Sequence, residues 1–470
     1  MHVVVLGAGL AGLSAAWELV RAGRAVTVLE RAAFVGAGAR VLEREGRTLE
    51  LGPRVLATDD AELRDYVRGE LGVALVERAV APALRLGRAE LAPPFALREL
   101  LGALPVETAL RAARDAFVER ARGAFGARPE LDLAAWFRHR HGRALADELL
   151  APWAATTLGL PPAHLDARAA LGAEATELLA DVGALRREPR IVHVPEHGGV
   201  AAITRALHER LLAAGADVRL CASAIGIEHR KGRARHVAWE RDGVVRLLAC
   251  DAVVAALPLA ETALLLAPEP STRVRAAALA DEPLACVHVH VELPTEHATN
   301  AAWTHVLGRG ARVRRVTEPA HFAPDAAPRA RTVLACELPA RLGDARWTAT
   351  SEALARLVED ELVQLGLDGA RELRVLEWTR VRRARAVPDR GRAARLAELA
   401  RTVDTLANVL RADADAEFGR MEARVGRESA AAASLRVGRA AGSGAHALLT
   451  AEAPRARARR RDVVGREERA

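Results

Sequence analysis

Residues 1–31 read MHVVVLGAGLAGLSAAWELVRAGRAVTVLER. The apolar run over residues 2–6 predicts a buried parallel strand, and Gly7, Gly9 and Gly12 then form the pattern GxGxxG. The first glycine permits a tight turn, the second lets the backbone approach a pyrophosphate, and the third allows a helix to pack closely on the strand. The stretch therefore predicts a binding site for a dinucleotide.

The helix and strand that follow extend this prediction. Leu10 and Ala11 begin a helix over residues 10–21, whose positive N-terminal end suits a phosphate. Residues 25–29 then form a second strand, and Glu30 at its end is placed to accept hydrogen bonds from a ribose. Strand, helix, strand and acid in this order are a stronger signal than the glycines alone.

Length and charge limit the class of protein. A chain of 470 residues predicts two domains. Lys231 is the only lysine, so arginine supplies nearly all of the basic charge behind the net charge of +7. Such a composition suits a nucleic-acid or membrane-surface binder, but most arginines alternate with acids, which favours a solvated surface and no nucleic acid. Residues 452–470 are strongly basic, and we expect a disordered tail there that leaves peripheral membrane contact open.

The cysteines and the hydropathy pattern point to the compartment. Cys221, Cys250, Cys286 and Cys336 form no CxxC pair, so they predict neither a zinc site nor a disulfide framework. No uninterrupted apolar run reaches the ~18 residues that a membrane span needs. We therefore expect a cytoplasmic protein without a membrane span, whose oligomeric state the sequence leaves open.

The segment after Glu30 decides between nicotinamide and flavin. Residues 31–56 read RAAFVGAGARVLEREGRTLELGPRVL, without the further strands and helices of a nicotinamide-binding unit. This segment resembles the second signature of the flavoprotein superfamily that includes flavin amine oxidases, protoporphyrinogen oxidases, phytoene desaturases and UDP-galactopyranose mutases. Gly36 and Arg40 match that signature, and Ala37 replaces its second glycine. The resemblance covers nearly the whole chain and implies FAD as the cofactor.

Two more segments carry the resemblance, and one departs from it. Gly52 and Pro53 match a family segment that runs beside the flavin ring, and Ala224 takes the position whose backbone meets the adenine. The last family motif, which has a glycine five residues after its asparagine, reads NVLRADADAEF, so Asp413 stands in place of that glycine. An acid there is expected to weaken FAD binding. The motifs and the resemblance together predict contacts to FAD from Gly7, Gly9, Leu10, Ala11, Gly12, Glu30, Arg31, Gly36, Gly38, Arg40, Gly52, Pro53, Arg54, Ala224 and Asp413.

Some residues that are typical of the family are missing from this chain, and their absence narrows the class of substrate. Flavin amine oxidases use a lysine near the flavin and aromatic side chains around the amine. Here Lys231 lies in a predicted hairpin turn, Tyr66 is the only tyrosine, and Val387 replaces a family aromatic. These differences argue against amine oxidation. They also count against a mutase, although arginines that bind a diphosphate stay open in so arginine-rich a chain.

A few polar residues are candidates for catalysis. Arg54 follows Pro53 and holds a substrate carboxylate or forms a local salt bridge. His288 and His290 lie on one face of a predicted strand, where a metal or general-base role competes with a partly solvated strand face. Arg315 and Glu318 either face the substrate cavity or pair with each other.

The sequence thus predicts an α/β protein with a Rossmann-like FAD-binding domain and an α+β substrate domain. The FAD domain is expected at 1–70, 190–280 and 395–445, and the substrate domain at 71–189 and 281–394. The resemblance implies an FAD-dependent oxidoreductase that removes a hydride from a small-molecule substrate. That substrate is expected to be bulky and apolar, such as a porphyrinogen or polyene. A mutase-like non-redox flavoenzyme and a non-catalytic relative with weakened FAD binding are the alternatives.

Overall fold

The computed structural model describes residues 1–39, 41–53, 55–91, 97–123, 132–171, 190–323, 330–412 and 430–467. Within these residues the strands are, in chain order, β1 His2–Leu6, β2 Ala25–Leu29, β3 Val41–Arg44, β4 Arg47–Glu50, β5 Leu75–Val80, β6 Ala83–Leu86, β7 Ala89–Leu91, β8 Arg190–Pro195, β9 Asp217–Arg219, β10 Ser223–Arg230, β11 Arg233–Arg241, β12 Val244–Ala249, β13 Ala252–Ala255, β14 Leu266–Ala267, β15 Leu284–Leu293, β16 Trp303–Leu307, β17 Arg315–Thr317, β18 Thr332–Ala340, β19 Arg374–Arg385 and β20 Val409–Arg411. The helices are α1 Leu10–Arg21, α2 Ala61–Asp65, α3 Leu97–Gly102, α4 Val106–Gly123, α5 Leu133–His141, α6 Arg143–Leu145, α7 Ala151–Leu158, α8 Ala167–Leu171, α9 Ala201–Ala213, α10 Leu259–Leu264, α11 Thr272–Leu279, α12 Ala345–Thr348, α13 Ser351–Gln364, α14 Arg392–Val403 and α15 Ala430–Glu467.

A parallel five-stranded sheet is the centre of the first domain. Its strand order is β20-β13-β1-β2-β9, and every neighbouring pair is parallel. Val3 and Val5 pack in a core with α1, α9 and α15, whereas Val4 and Leu6 pack on the opposite face against β10, β11 and α14. Because both faces are covered, the buried residues of the strand, Val3 to Leu6, are all apolar, as the sequence predicted.

The last helix, α15, packs directly on α1. A Cβ at Gly438 would overlap the carbonyl oxygen of Ala11, and one at Gly442 would lie 2.6 Å from the carbonyl oxygen of Ala15. Glycine at these two positions therefore lets the two helix backbones approach each other closely. The same helix continues to Glu467.

A seven-stranded sheet dominates the second domain, in the order β19-β15-β18-β17-β16-β6-β7. Strands β15 and β18, the second and third in this order, are buried at every residue. One face carries Val287, Val289 and Val291 into a core with α13, and the other face turns toward the segment at residues 50–52 of the first domain. A separate core holds the helices over residues 97–171.

The chain passes between the two sheets more than once. Strands of the parallel sheet come from residues 2–29, 217–255 and 409–411, and the second sheet takes its strands from 83–91 and 284–385. Strand β8, which falls in the block predicted at 190–280, pairs instead with β5. In the residues that the model describes, no helix is long and apolar enough to cross a membrane.

Candidate functional site

The glycine-rich loop after β1 is shaped by backbone contacts. Gly7 has φ +95°, its N–H donates to the carbonyl of Leu29 at 2.8 Å, and a Cβ there would lie 2.9 Å from the carbonyl oxygen of Ala256. A Cβ at Gly12 would overlap the carbonyl oxygen of Gly7. Gly9 caps α1 without a side chain, so the N–H groups of Leu10 and Ala11 in the first turn have no partner within the helix and suit an anionic group.

Glu30 links the end of β2 to this loop. Its carboxylate accepts hydrogen bonds from the backbone N–H of Ala8 and from that of Ala32, each at 2.8 Å. Each oxygen keeps further acceptor capacity for a hydroxyl donor. The neighbouring Arg31 pairs with Glu261 at 3.5 Å, and its side chain is 64% exposed.

The second motif lies directly beside the first. The N–H of Gly36 donates to the carbonyl of Ala8 at 2.8 Å, and Gly36 has φ +101°. Gly38 follows in a 3₁₀ turn over Ala37–Ala39. Two predicted contacts, Arg40 and Arg54, fall outside the described residues.

Gly52 marks the place where the two domains meet. It has φ +84°, and a Cβ there would overlap Oε1 of Glu337 on the seven-stranded sheet. Just before it, the carboxylate of Glu50 accepts from the N–H of Val200, and the carbonyl of Glu50 accepts from Nε2 of His290 at 2.8 Å. The segment 50–52, which leads to Pro53, is thus held between a helix of the first domain and the second sheet.

A row of ionisable side chains crosses the face of the sheet that lies against Gly52. In register, His288 pairs with Glu337, Glu337 with Arg315, and Arg315 with His305. Residues directly opposite each other on neighbouring strands share a face, so the four side chains form one row, in which three are buried and the Arg315 side chain is 11% exposed. We call these four residues the buried row.

Glu337 is the centre of charge in the buried row. Its Oε1 accepts from Arg315 Nη2 at 2.6 Å and its Oε2 from Arg385 Nη2 at 2.7 Å. Burial raises the pKa of Glu337, but the charges of the two guanidinium groups outweigh burial and hold the pKa well below its usual range. Glu337 and Arg385 were not predicted from the sequence, although a single acid within the apolar run TVLACELPA was a signal for the first.

The histidines of this face are buried, which corrects the expectation of a partly solvated strand. His288 is 4% exposed and His290 is 1% exposed. Burial lowers the pKa of His290, and it lowers that of His305 well below the ordinary value. Burial likewise raises the pKa of Cys286 to about 12, so this thiol stays protonated.

Arg315 and Glu318 do not pair with each other. Arg315 binds Glu337, whereas the carboxylate of Glu318 accepts from Thr299 and Thr332 at the other end of β17. Of the two alternatives stated for Arg315, the structure places it at the Gly52 junction. Glu318 belongs to a separate cluster.

The downstream FAD segments are described in part. Ala222 donates its N–H to the carbonyl of Glu30 at 2.8 Å, which brings Ala224 two residues later to the same edge of the parallel sheet. Asn408 is buried and bonds to the backbone of Ala234 and Asp251, so it anchors the start of the last motif. Asp413 lies outside the described residues.

The lysine and the tyrosine lie away from the Gly52 junction. Lys231 is in the turn between β10 and β11, and Tyr66 is buried in the core of the parallel sheet under the guanidinium of Arg439. Val387, in place of a family aromatic, lines a cavity of about 80 Å³ together with Arg383 and Arg385. Lys231 thus belongs to a hairpin of the four-stranded sheet, and Tyr66 is enclosed in the core of the first domain.

Comparison with known proteins gives the family. The family model described as flavin containing amine oxidoreductase matches residues 10–412, most of the chain. The chain belongs to this family. Its glycine loop has the tight turn and close helix–strand packing of a dinucleotide site, because a Cβ at Gly7 or Gly12 would meet a backbone carbonyl oxygen.

The individual proteins that resemble this chain match it either over a short segment or at low sequence identity. A phytoene dehydrogenase from Streptomyces griseus is 44% identical over 124 residues, which are 26% of this chain and 22% of that relative. A reduced UDP-galactopyranose mutase has the same fold with a TM-score of 0.71 at 16% identity, over 94% of both chains. A putative protoporphyrinogen oxidase from Exiguobacterium sp. 255-15 has a TM-score of 0.68 at 17% identity, over 95% of this chain and 98% of that chain. The curated relatives are matched over only 14% and 22% of their own length.

Proposed function

We propose that this oxidoreductase removes a hydride from a bulky, largely apolar substrate of the porphyrinogen or polyene class. The observation that carries the proposal is the state of the buried row beside Gly52. Its carboxylate is ionised and held by two guanidinium groups, and burial lowers the pKa of His305. Glu337 is therefore no proton acceptor near neutral pH, which suits a reaction that needs little acid–base help from the protein.

The first domain holds the cofactor in this proposal. FAD, when bound, supplies the hydride acceptor. The N–H groups at the start of α1 and the loop Gly7–Gly12 bind its diphosphate, and Glu30 binds a ribose hydroxyl while keeping its bonds to Ala8 and Ala32. Gly36, Gly52 and the backbone at Ala224 complete the cradle, and electrons leave to oxygen or another acceptor.

The second domain positions the substrate and excludes water. Strands β15 and β18 are buried along their whole length, and their polar face is closed by its own ion pairs. His290 donates to Glu50 and so keeps the segment 50–52 in place against the sheet. A substrate held at this junction is therefore oriented by packing, with few polar contacts to satisfy.

Two features support an apolar substrate over an amine. Val106, Leu110 and Phe117 of α4 are each more than 65% exposed on one helix face, which suits the entrance of a lipophilic molecule. Lys231 lies in the turn between β10 and β11, and Tyr66 is buried in the core of the first domain. These positions argue against the lysine and aromatic cage of an amine oxidase. The similarity to a phytoene dehydrogenase over 124 residues supports the same substrate class.

The test is anaerobic reduction of the bound flavin. The purified full chain is loaded with FAD and mixed in turn with a porphyrinogen, a polyene precursor, putrescine and an L-amino acid, while the visible flavin bands are followed. We expect bleaching with a porphyrinogen or polyene precursor and none with the amines. Bleaching by an amine alone overturns the proposal.

A second arm separates the mutase alternative. Chemically reduced holoprotein is incubated with UDP-galactopyranose, and the nucleotide-sugar is analysed for ring contraction. Ring contraction without oxidation of either apolar substrate would show a non-redox enzyme and contradict the proposal. Retention of flavin bands after gel filtration is the control that the altered NVLRADADAEF motif still supports FAD binding.

A further inference from the structure

A second cluster of ligand-type side chains lies at the end of β17 away from Gly52. His297 is in the loop between β15 and β16, Glu318 directly follows β17, and His321 ends the 3₁₀ turn Pro319–His321. One donor atom of each residue lies within 4.8 Å of the other two. We call His297, Glu318 and His321 the two-histidine cluster.

The spacing of the cluster differs from that of strong hydrogen bonds. His297 Nδ1 lies 3.3 Å from Glu318 Oε1, and His321 Nε2 lies 3.4 Å from Glu318 Oε2. Charge-assisted N–H···O bonds are usually about 2.7–2.9 Å long. Two ligands of a tetrahedral ion with bonds of about 2.0–2.2 Å stand roughly 3.3–3.6 Å apart. Both distances therefore match ligands that share an ion.

Glu318 is anchored as a metal-binding carboxylate has to be. Its side chain is fully buried and accepts from the N–H of Thr299 at 2.8 Å, from Thr299 Oγ1 at 2.6 Å and from Thr332 Oγ1 at 2.7 Å. The carboxylate is thus fixed in orientation, as in protein metal sites whose ligands are held by outer hydrogen bonds.

The histidines provide access and a replaceable proton. The side chain of His297 is 47% exposed, so an ion and a completing water can enter from solvent. His321 Nε2 lies 2.8 Å from the carbonyl oxygen of Thr299 and donates to it in the metal-free protein. An ion bound by Nε2 displaces that proton, and the His321 ring then turns from the carbonyl oxygen of Thr299 toward Glu318.

We propose that the two-histidine cluster binds one divalent transition-metal ion of the zinc class. Two imidazoles and one carboxylate suit Zn²⁺ or Co²⁺, whereas Ca²⁺ and Mg²⁺ prefer oxygen ligands alone. The ion would join the loop after β15 to the turn after β17 and, through Thr332, to the start of β18. This role is structural, and it is independent of the reaction at Gly52.

The test uses the FAD-loaded full chain without an affinity tag. The protein is treated with a chelator, desalted and titrated with Co²⁺, whose tetrahedral bands lie to the red of the flavin bands, and then with Zn²⁺. We expect saturation at one equivalent, displacement of Co²⁺ by Zn²⁺, and no displacement by excess Mg²⁺ or Ca²⁺. The flavin spectrum is expected to stay unchanged, so the outcome does not depend on the proposed function.

Two variants make the assignment specific. His297→Ala removes a half-exposed side chain and should weaken Co²⁺ binding at least about 10-fold, the lower end of the loss known for disrupted metal sites. His236→Ala is the matched control, since His236 is similarly exposed and lies 3.4 Å from Glu228 without a second histidine. Absence of saturable binding, or equal losses in both variants, would overturn the proposal in favour of histidines that only hydrogen-bond Glu318.

Discussion

The glycine loop of the first domain and the buried row of the second lie on either side of Gly52, but they are built differently. The loop is made of backbone: carbonyl oxygens of Gly7 and Ala256 leave no room for side chains. The buried row is made of side chains from four strands that lie far apart in the sequence. A backbone site depends on local glycines, and a side-chain site depends on long-range strand register.

This contrast predicts different consequences of mutation. In the loop, an added methyl group creates overlap that only movement of the backbone relieves. In the buried row, removing one charge leaves its partners charged and desolvated. Overlap in the loop should weaken FAD binding more than it destabilises the fold. Loss of a charge in the buried row should destabilise the fold itself.

The largest expected effect is that of Glu337→Gln. This change leaves the guanidinium groups of Arg315 and Arg385 without their carboxylate, and breaking such a buried pair costs about 3–5 kcal/mol. Denaturant unfolding of the FAD-loaded protein measures the loss. Glu372→Gln, at an exposed acid, is the control and should change the free energy of unfolding by less than ~0.5 kcal/mol. Equal stability of the two variants would mean that Glu337 is not charged in the fold.

Gly12→Ala should come next. The new Cβ would overlap the carbonyl oxygen of Gly7, so α1 has to shift, at a cost of about 1–3 kcal/mol. The shift removes N–H groups from the diphosphate, and we expect most FAD to be lost on gel filtration. Gly69→Ala, where no heavy atom lies within 4 Å, is the matched control and should retain FAD. Full FAD retention by Gly12→Ala would place the diphosphate elsewhere.

The decrease in the free energy of unfolding at acidic pH gives a further test of the charge on Glu337. Because the folded pKa of Glu337 is depressed, its contribution is fully present above the unfolded value of 4.5 and is lost as pH falls toward the folded value. One such group changes the free energy of unfolding by at most about 1.4 kcal/mol per pH unit below that point. Comparing the original protein with Glu337→Gln by denaturant unfolding from neutral pH down to the acid range should show a shallower acid decline in the variant. Parallel declines would contradict the assignment.

The smallest effect is expected for Arg31→Ala. Arg31 is largely exposed and pairs with Glu261 at 3.5 Å, and exposed pairs contribute about 0–1 kcal/mol. Thermal unfolding should therefore change little. FAD affinity is measured in the same variant, because a clear loss of affinity at unchanged stability would support the contact that the sequence predicts for Arg31.

The sequence predicted the elements of the first domain well. Each of its signals is local: the apolar strand over residues 2–6, the glycines that follow, and the acid at Glu30 lie within one βαβ unit. It also placed His288 and His290 on one strand face and the intervening valines on the other, because side chains alternate along a strand. It was wrong about the exposure of that face, since burial of a strand depends on what packs against it.

The pairings of polar residues were beyond the sequence. Arg315 and Glu318 are three residues apart, yet they join different clusters because Arg315 begins the short strand β17 and Glu318 follows its other end. Glu337 meets Arg315 and Arg385 only through the antiparallel register of β18 and the end of β19. The spacing of these residues along the chain does not predict these contacts.

The sequence by itself determined the FAD-binding βαβ unit and, through its motifs, the family. It could do so because glycine conformation, strand alternation and helix ends are properties of neighbouring residues. Only the tertiary structure decided which ionisable groups are buried together beside Gly52 and which gather around Glu318. Those choices follow from strand register and desolvation, which arise only when distant segments pack.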